Sequence, residues 1–343
     1  MTGTLVTIDE IEAAAERIRG IAFRTPLIEV AAGPLSPVAS GSSPPVASGS
    51  SSPVASGFSR KIGSFSLKCE NLQPMGAFKI RGATNMLVRL GDAARSGVIT
   101  YSSGNHGQAV AMAAQMLGIP TVVVMPETAA RVKVEGARKY GADVIFAGTT
   151  SADRKLRAES EAAARGLTMV PPFDHPWIVA GAGTAGLEIL EQKPDVSAVY
   201  VPMGGGGLIA GVSAAIKQRR PDVRVVGVEP AGAAKMTASR AAGRPVTLEM
   251  AASIADGLLT LRPGDVTFAH VQAFVDEVVT VPEESIAPAI AWLFREARVV
   301  AEPSGAVTTA AILQMGTPQP GTVAIVSGGN VSAEDYAGYL TND

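Results

Sequence analysis

Ala198-Val199-Tyr200-Val201, Gly204-Gly205-Gly206-Gly207 and Leu208-Ile209-Ala210-Gly211-Val212 follow one another as an apolar strand, a glycine run and a helix. Consecutive glycines cost roughly 0.5–1 kcal/mol each relative to alanine, and a tight turn needs only one or two. A strand–glycine–helix passage offers clustered amides to a phosphate. Working outward, Thr121 to Met125, Asp143 to Phe146, Val223 to Val228 and Thr322 to Val326 read as further strands separated by helical stretches. That alternation predicts an α/β protein with parallel sheets covered by helices.

Two more segments carry chemistry. Gly76-Ala77-Phe78-Lys79-Ile80-Arg81-Gly82 follows an alternating strand at Gly63 to Glu70 and precedes a helix over Ala83 to Leu90. Lys79 is thus expected in the turn, where the helix N-terminus and the Arg81 guanidinium both disfavour an ammonium. A lysine of lowered pKa is nucleophilic and forms Schiff bases with carbonyls, although a lone lysine near a helix start is more often a solvated residue. Ser102-Ser103-Gly104-Asn105-His106-Gly107 joins a strand at Val98 to Tyr101 to a helix over about Gly107 to Leu117. Its turn offers helix-start amides to a carboxylate or phosphate, or plain serine capping.

Together these segments resemble the fold-type II (tryptophan synthase β-like) pyridoxal-phosphate (PLP) enzymes, in the branch of serine/threonine dehydratases and serine racemase. The resemblance runs from about Thr7 to Asn330 and continues in Ala255-Asp256-Gly257, Glu302-Pro303-Ser304-Gly305 and Ser327-Gly328-Gly329-Asn330. It implies two open parallel-sheet domains with PLP between them: a small one over 97–172 and a large one from 1–96 and 173–343. It implies that Lys79 carries PLP and shuttles the Cα proton, while Gly204, Gly205, Gly206, Gly207 and Leu208 hold the phosphate. Asn105 would meet the ring hydroxyl, Phe78 the ring face, and Ser327 the pyridine nitrogen. A neutral hydroxyl there does not enforce a protonated pyridine, which favours prompt β-elimination. Ser102, Ser103, Gly104, Asn105 and His106 would cradle the substrate carboxylate.

Arg154 matches a position at the distal end of the substrate, although its own surroundings read as an exposed helix. Asp256 is either a partner for the substrate hydroxyl or a turn cap before Gly257. Glu302 either tunes the site or caps the Ser-Gly turn. His106 is expected to support its loop, and His175 and His270 to be packing residues. Ser103 would stand opposite the lysine and return a proton from that face, so racemisation is allowed without being required. The expected reaction converts L-threonine or L-serine to a 2-oxo acid and ammonia. Serine racemisation and dehydration of hydroxyaspartate or phenylserine are the alternatives.

In metal-activated relatives a glutamate after a strand is followed six residues later by a carboxylate. Here Glu229 is followed by Lys235, whose ammonium repels a divalent cation and instead suits an internal ion pair. No metal is expected. A nicotinamide reading accounts for Gly205-x-Gly207-x-x-Ala210 and Glu229 but leaves Lys79 and Asn105-His106 idle. A second glycine pattern, Gly181-x-Gly183-x-x-Gly186, lacks a preceding strand. β-Replacement enzymes such as cysteine synthase usually carry threonine where this chain has His106.

The 343 residues suggest two domains, and 47% apolar with 17% charged residues fits a buried parallel sheet. A net charge of −2 without a basic run gives no case for nucleic acid. No apolar run approaches the roughly 18 residues of a membrane span, and no signal region opens the chain. With one cysteine, Cys69, no intrachain disulfide forms, and a cytoplasmic enzyme acting on a small amino acid is expected. Dimers are common in the family, so a homodimer is expected, without a separate regulatory domain. Thr7-x-x-Glu10 reads as a capping box opening a helix with Ile8, Ile11 and Ile18 on one face. Between them and the strand at Gly63, Val-Ala-Ser-Gly recurs at 38–41, 46–49 and 54–57. Residues 34–59 therefore read as a flexible low-complexity surface insertion.

Overall fold

The computed structural model describes residues 5–32, 63–102, 104–129 and 131–341. The repeat insertion at 34–59 and Ser103 lie outside the described residues. The chain opens with α1 (Ile8–Ile18), β1 (Leu27–Ala31), β2 (Ser64–Cys69) and α2 (Lys79–Leu90). It continues through β3 (Val98–Tyr101), α3 (Asn105–Leu117), β4 (Thr121–Met125), α4 (Arg131–Lys139), β5 (Asp143–Phe146), α5 (Ser151–Arg165) and β6 (Thr168–Met169). Then come α6 (Pro176–Gln192), β7 (Ala198–Pro202), α7 (Gly207–Arg219), β8 (Arg224–Pro230), α8 (Lys235–Ala242), α9 (Asp265–Phe274) and β9 (Glu277–Val281). The last elements are α10 (Ile286–Trp292), α11 (Pro303–Gln314), β10 (Thr322–Val326) and α12 (Ala333–Thr341).

The strands form two sheets. In the larger, β2, β10, β7, β8 and β9 are parallel neighbours in that order, with β1 antiparallel on the outer edge. The antiparallel edge departs from the all-parallel expectation. The smaller sheet is fully parallel, in the order β5-β4-β3-β6. Strands β4, β7 and β10 are buried along their whole length, as continuous apolar runs covered on both faces are. The capping box at Thr7 and Glu10 forms, and Ile11 and Ile18 are buried while Ile8 stays partly exposed.

Glycine spacing sets how closely the covering helices approach. A Cβ on Gly211 of α7 would stand 2.3 Å from the Val179 carbonyl of α6, and one on Gly181 2.5 Å from the Arg81 carbonyl of α2. The pattern Gly181-x-Gly183-x-x-Gly186 is therefore a helix-packing surface within α6, not a nucleotide turn. Helices α2 and α3 start at Lys79 and Asn105, earlier than expected. Neither Phe78 nor Gly104 supplies a side-chain cap, so the local sequence carried no start signal. No helix among the described residues is long and apolar enough to cross a membrane.

Strands β2, β10 and β7 run parallel, so the segments after them emerge on one edge of the large sheet. There Lys79, Ser327 and the glycine run come together, at the crevice where open α/β sheets place ligands. The segments after β3 and β6 of the small sheet approach the same crevice, carrying Asn105 and Pro172.

Candidate active site

Lys79 is the first residue of α2 and is partly exposed to the cleft. Its Nζ donates to the Pro172 carbonyl at 2.8 Å and lies 5.1 Å from the centre of the Phe78 ring. No carboxylate pairs with it among the described residues, and burial pushes the amine down to about 8. The expected contribution of Arg81 is overturned. Arg81 points away into the core, where its guanidinium binds Glu70 (Nε–Oε2 2.7 Å) and Glu188 (Nη1–Oε1 2.7 Å). Those two carboxylates more than offset the burial of Arg81 and hold its pKa above the usual value. Lys68 joins the cluster through Glu188 and Gln192. The first turn of α2 is thus fixed from behind by a buried, fully paired charge cluster, while Lys79 faces the cleft with one neutral acceptor.

Phe78 donates its amide to the Ser327 carbonyl at 3.0 Å, so the residue before the lysine is tied to the segment after β10. Ser327 is buried, and its hydroxyl contacts the Ser304 carbonyl at 3.4 Å. The glycine run lies between β7 and α7, with Gly206 at φ +97°, a left-handed conformation suited to glycine. Among the described residues, the amides of Gly204, Gly205, Gly206, Gly207 and Leu208 donate to no protein oxygen. Five free N–H groups at a helix start form a cradle for an anion.

Sequence reasoning missed what packs against this glycine run. A Cβ on Gly205 would stand 2.5 Å from three ring atoms of Phe173, so glycine here permits aromatic contact. Asp174 accepts from the amides of Asp265, Val266 and Thr267 and thereby caps α9. The segment Pro171-Pro172-Phe173-Asp174 is therefore a strap: it touches Lys79, the glycine run and α9 in turn. Two consecutive prolines, which favour extended backbone, were its only sequence signal.

Across the cleft, Asn105 Nδ2 donates to Glu302 Oε1 at 2.6 Å, and Asn105 Oδ1 accepts from Asn330 Nδ2 at 2.9 Å. Burial and the Asp256 charge push the Glu302 carboxyl up to about 7, against the pull of Lys133 and of the Asn105 hydrogen bond. Asp256 forms an ion pair with Lys133 of α4, a residue that sequence reasoning also missed. Ser102 accepts from the Gly104 amide at 3.1 Å. His106 is buried with Nε2 3.4 Å from the Val170 carbonyl. Burial and then the Lys79 charge push its pKa down to about 3, so its ring is neutral near pH 7. His175 caps α6, and His270 Nε2 accepts from the Val6 amide at 2.8 Å.

Arg154 is not on an exposed helix face. It is 7% exposed, its hydrogen bonds go to Thr149 and Ser151 at the start of its own helix, and its Nε is buried without a partner. Lys235 is fully buried and donates at 2.9 Å to the carbonyls of Met203, Ala233 and Leu258, with Glu229 Oε1 at 3.3 Å. The ammonium thus links the residue before the glycine run to the segment just after Asp256. Glu229 also accepts from the Met236 and Thr237 amides, which occupies both of its oxygens. No group of residues able to hold a metal ion occurs among the described residues.

Residues 51–328 match the family model described as pyridoxal-phosphate dependent enzyme. An L-threonine ammonia-lyase of Thermotoga maritima is 47% identical over 274 residues, covering 78% of this chain and 68% of that protein. The serine racemase of Schizosaccharomyces pombe is 36% identical over 340 residues, 98% of each chain. The solved structure of maize serine racemase superposes with a TM-score of 0.85 at 33% identity, covering 99% of this chain and 98% of that one.

Proposed function

The chain belongs to the pyridoxal-phosphate dependent enzyme family, and from that premise we propose that it eliminates water from L-threonine or L-serine, leaving a 2-oxo acid and ammonia. The observation that carries the reading is Lys79, an amine lowered to about 8 with one neutral acceptor, on the same sheet edge as the free amides of Gly204 to Leu208. PLP has an aldehyde and a phosphate, and these two features suit an aldehyde and an anion in turn. When bound, PLP supplies an electron sink for negative charge developing at the substrate Cα.

The rest of the site does the positioning. The Lys79 amine accepts the proton leaving Cα, since at about 8 a substantial fraction is neutral near physiological pH. The strap from Pro171 to Asp174 packs on the glycine run and ties it to Lys79 and α9. Asn105 is fixed by Glu302 and Asn330 and would meet the cofactor ring. The loop Ser102 to His106 receives the substrate carboxylate, and Asp256 meets the β-hydroxyl. We assign 97–172 to a small domain and the flanking segments to a large one, in a cytoplasmic homodimer that sedimentation at graded concentration tests.

Purified protein reconstituted with PLP is mixed with L-threonine and L-serine while 2-oxo acid and D-serine are followed. Release of the 2-oxo acid as main product supports the reading. D-serine accumulating faster than pyruvate reassigns the chain to racemisation, the activity named for the relative that matches 98% of its length. Failure to bind PLP overturns both.

A further inference from the structure

The Lys133–Asp256 pair joins the two sheets' segments across the cleft, and its members are unequal. The Lys133 side chain is 11% exposed and that of Asp256 47%. Lys133 makes no other hydrogen bond among the described residues. Its stem lies across Gly104: a Cβ there would stand 3.1 Å from Lys133 Cδ and 3.4 Å from Nζ. The ammonium is thus carried over the loop from Ser102 to His106 and stops at a carboxylate half open to the cleft. Asp256 is held firmly, because the next amide, Gly257, donates to Ser304 Oγ at 2.9 Å, and Leu258 O binds Lys235. In this pair the lysine, on a flexible four-carbon stem, is the partner that can exchange.

We propose that Lys133 is a substrate-binding residue: its ammonium, paired with Asp256 in this structure, exchanges that partner for the α-carboxylate of the amino acid. The exchange leaves the Asp256 carboxylate to accept from the substrate's β-hydroxyl, so one group of the substrate prepares the site for another. The inference deepens the amino-acid reading above and rests on it for the identity of the substrate. The opposing influence of Lys133 and Asp256 on Glu302 places all three charges in one local field.

The test titrates wild-type holoenzyme and the K133M, K133R and D256N variants with L-serine and with L-serinamide, which lacks the carboxylate, following the cofactor's absorbance. Wild type prefers the acid. K133M weakens L-serine binding about tenfold or more, the scale of one charge-assisted hydrogen bond, and leaves L-serinamide nearly unchanged. K133R retains part of the preference. D256N binds L-serine no more weakly than wild type while turnover slows, because the lysine is no longer held. Equal losses of L-serine binding in K133M and D256N would mark a mere structural tie and overturn the proposal. So would a K133M that keeps the preference for the acid. Should wild type release no 2-oxo acid yet show a preference that K133M abolishes, the proposed reaction falls while the assignment of Lys133 stands. A wild type that binds neither probe overturns both.

Discussion

Lys79 and Lys235 are both lysines whose pKa burial lowers, and they lie on the same edge of the large sheet. Four oxygens surround the Lys235 ammonium, one of them a carboxylate; Lys79 has one carbonyl. A buried ammonium with a full set of acceptors has its charged form favoured by those hydrogen bonds, and here it works as a brace. One with a single neutral acceptor sheds its proton readily and becomes a nucleophile. Both amines are buried; what differs around them is the count of oxygens. Arg81, two residues beyond Lys79 on the same helix, extends the contrast: its charge is wholly absorbed by Glu70 and Glu188.

The largest expected effect breaks that contrast at Lys79. Lys79→Met should lower 2-oxo acid release by at least about a thousandfold, as loss of a covalent anchor and proton carrier does. Its thermal stability without cofactor should hold or rise, because an imperfectly solvated charge is removed. A variant that melts well below wild type would show that Lys79 supports the fold after all.

Behind the same helix the order reverses. Glu70→Gln leaves Arg81 with Glu188 alone in a region where Glu70 is fully buried. Stability should fall by about 3–5 kcal/mol, the usual result of breaking a buried ion pair. Guanidinium titration of apoprotein measures it, and a loss below about 1 kcal/mol would mean the cluster rearranges freely.

These two sites also show what was legible in the chain. Strands β3, β4, β5 and β10 and the glycine run could be read because each is a contiguous pattern bounded by turn residues. Lys79 could be singled out, but the cause of its lowered pKa could not. Arg81 is adjacent in sequence, and only the fold turns it toward Glu70 and Glu188. The same reason hid Glu302 against Asn105, and Lys133 against Asp256, because partners 197 and 123 residues apart leave no local trace. Arg154 was misread for a related reason: its helix is polar in sequence, yet its buried face lies on the small sheet. Strands β1, β6 and β9 lie at sheet edges, where short or half-exposed strands lose the apolar run that marks the interior.

A smaller effect sharpens the comparison from the other lysine. Lys235→Met removes the brace but leaves Glu229 three hydrogen bonds, from Met236 and from the amide and hydroxyl of Thr237. The expected loss is roughly 1–3 kcal/mol, the cost of unsatisfied buried polar groups. If the same ammonium serves as the internal cation expected from the sequence, no divalent ion is needed beside Glu229. Chelation should therefore leave activity unchanged, and a loss restored by Mg²⁺ would refute the internal-cation role.

The gentlest test reads the same physics in the chain's three histidines. Burial lowers all of them: His106 to about 3, and His175 and His270 in the same direction. The unfolded chain therefore binds more protons than the folded one as pH falls below the unfolded value near 6.5. Their contribution to stability is present above that value and is lost progressively below it, at up to about 1.4 kcal/mol per pH unit for each histidine. Glu302 acts with the opposite sign. Its carboxyl, raised to about 7, takes up a proton in the folded protein first, so its contribution grows as pH falls from 7 toward 4.5. Glu302 therefore offsets part of the slope that the histidines impose below pH 6.5. His270→Gln keeps an acceptor for the Val6 amide and removes one titrating group, so the slope of apoprotein stability should become shallower, while Glu302→Gln should steepen it. Unchanged slopes in both variants would mean these groups titrate alike in the folded and unfolded chain, and that acceptor count around a buried group says little about its proton.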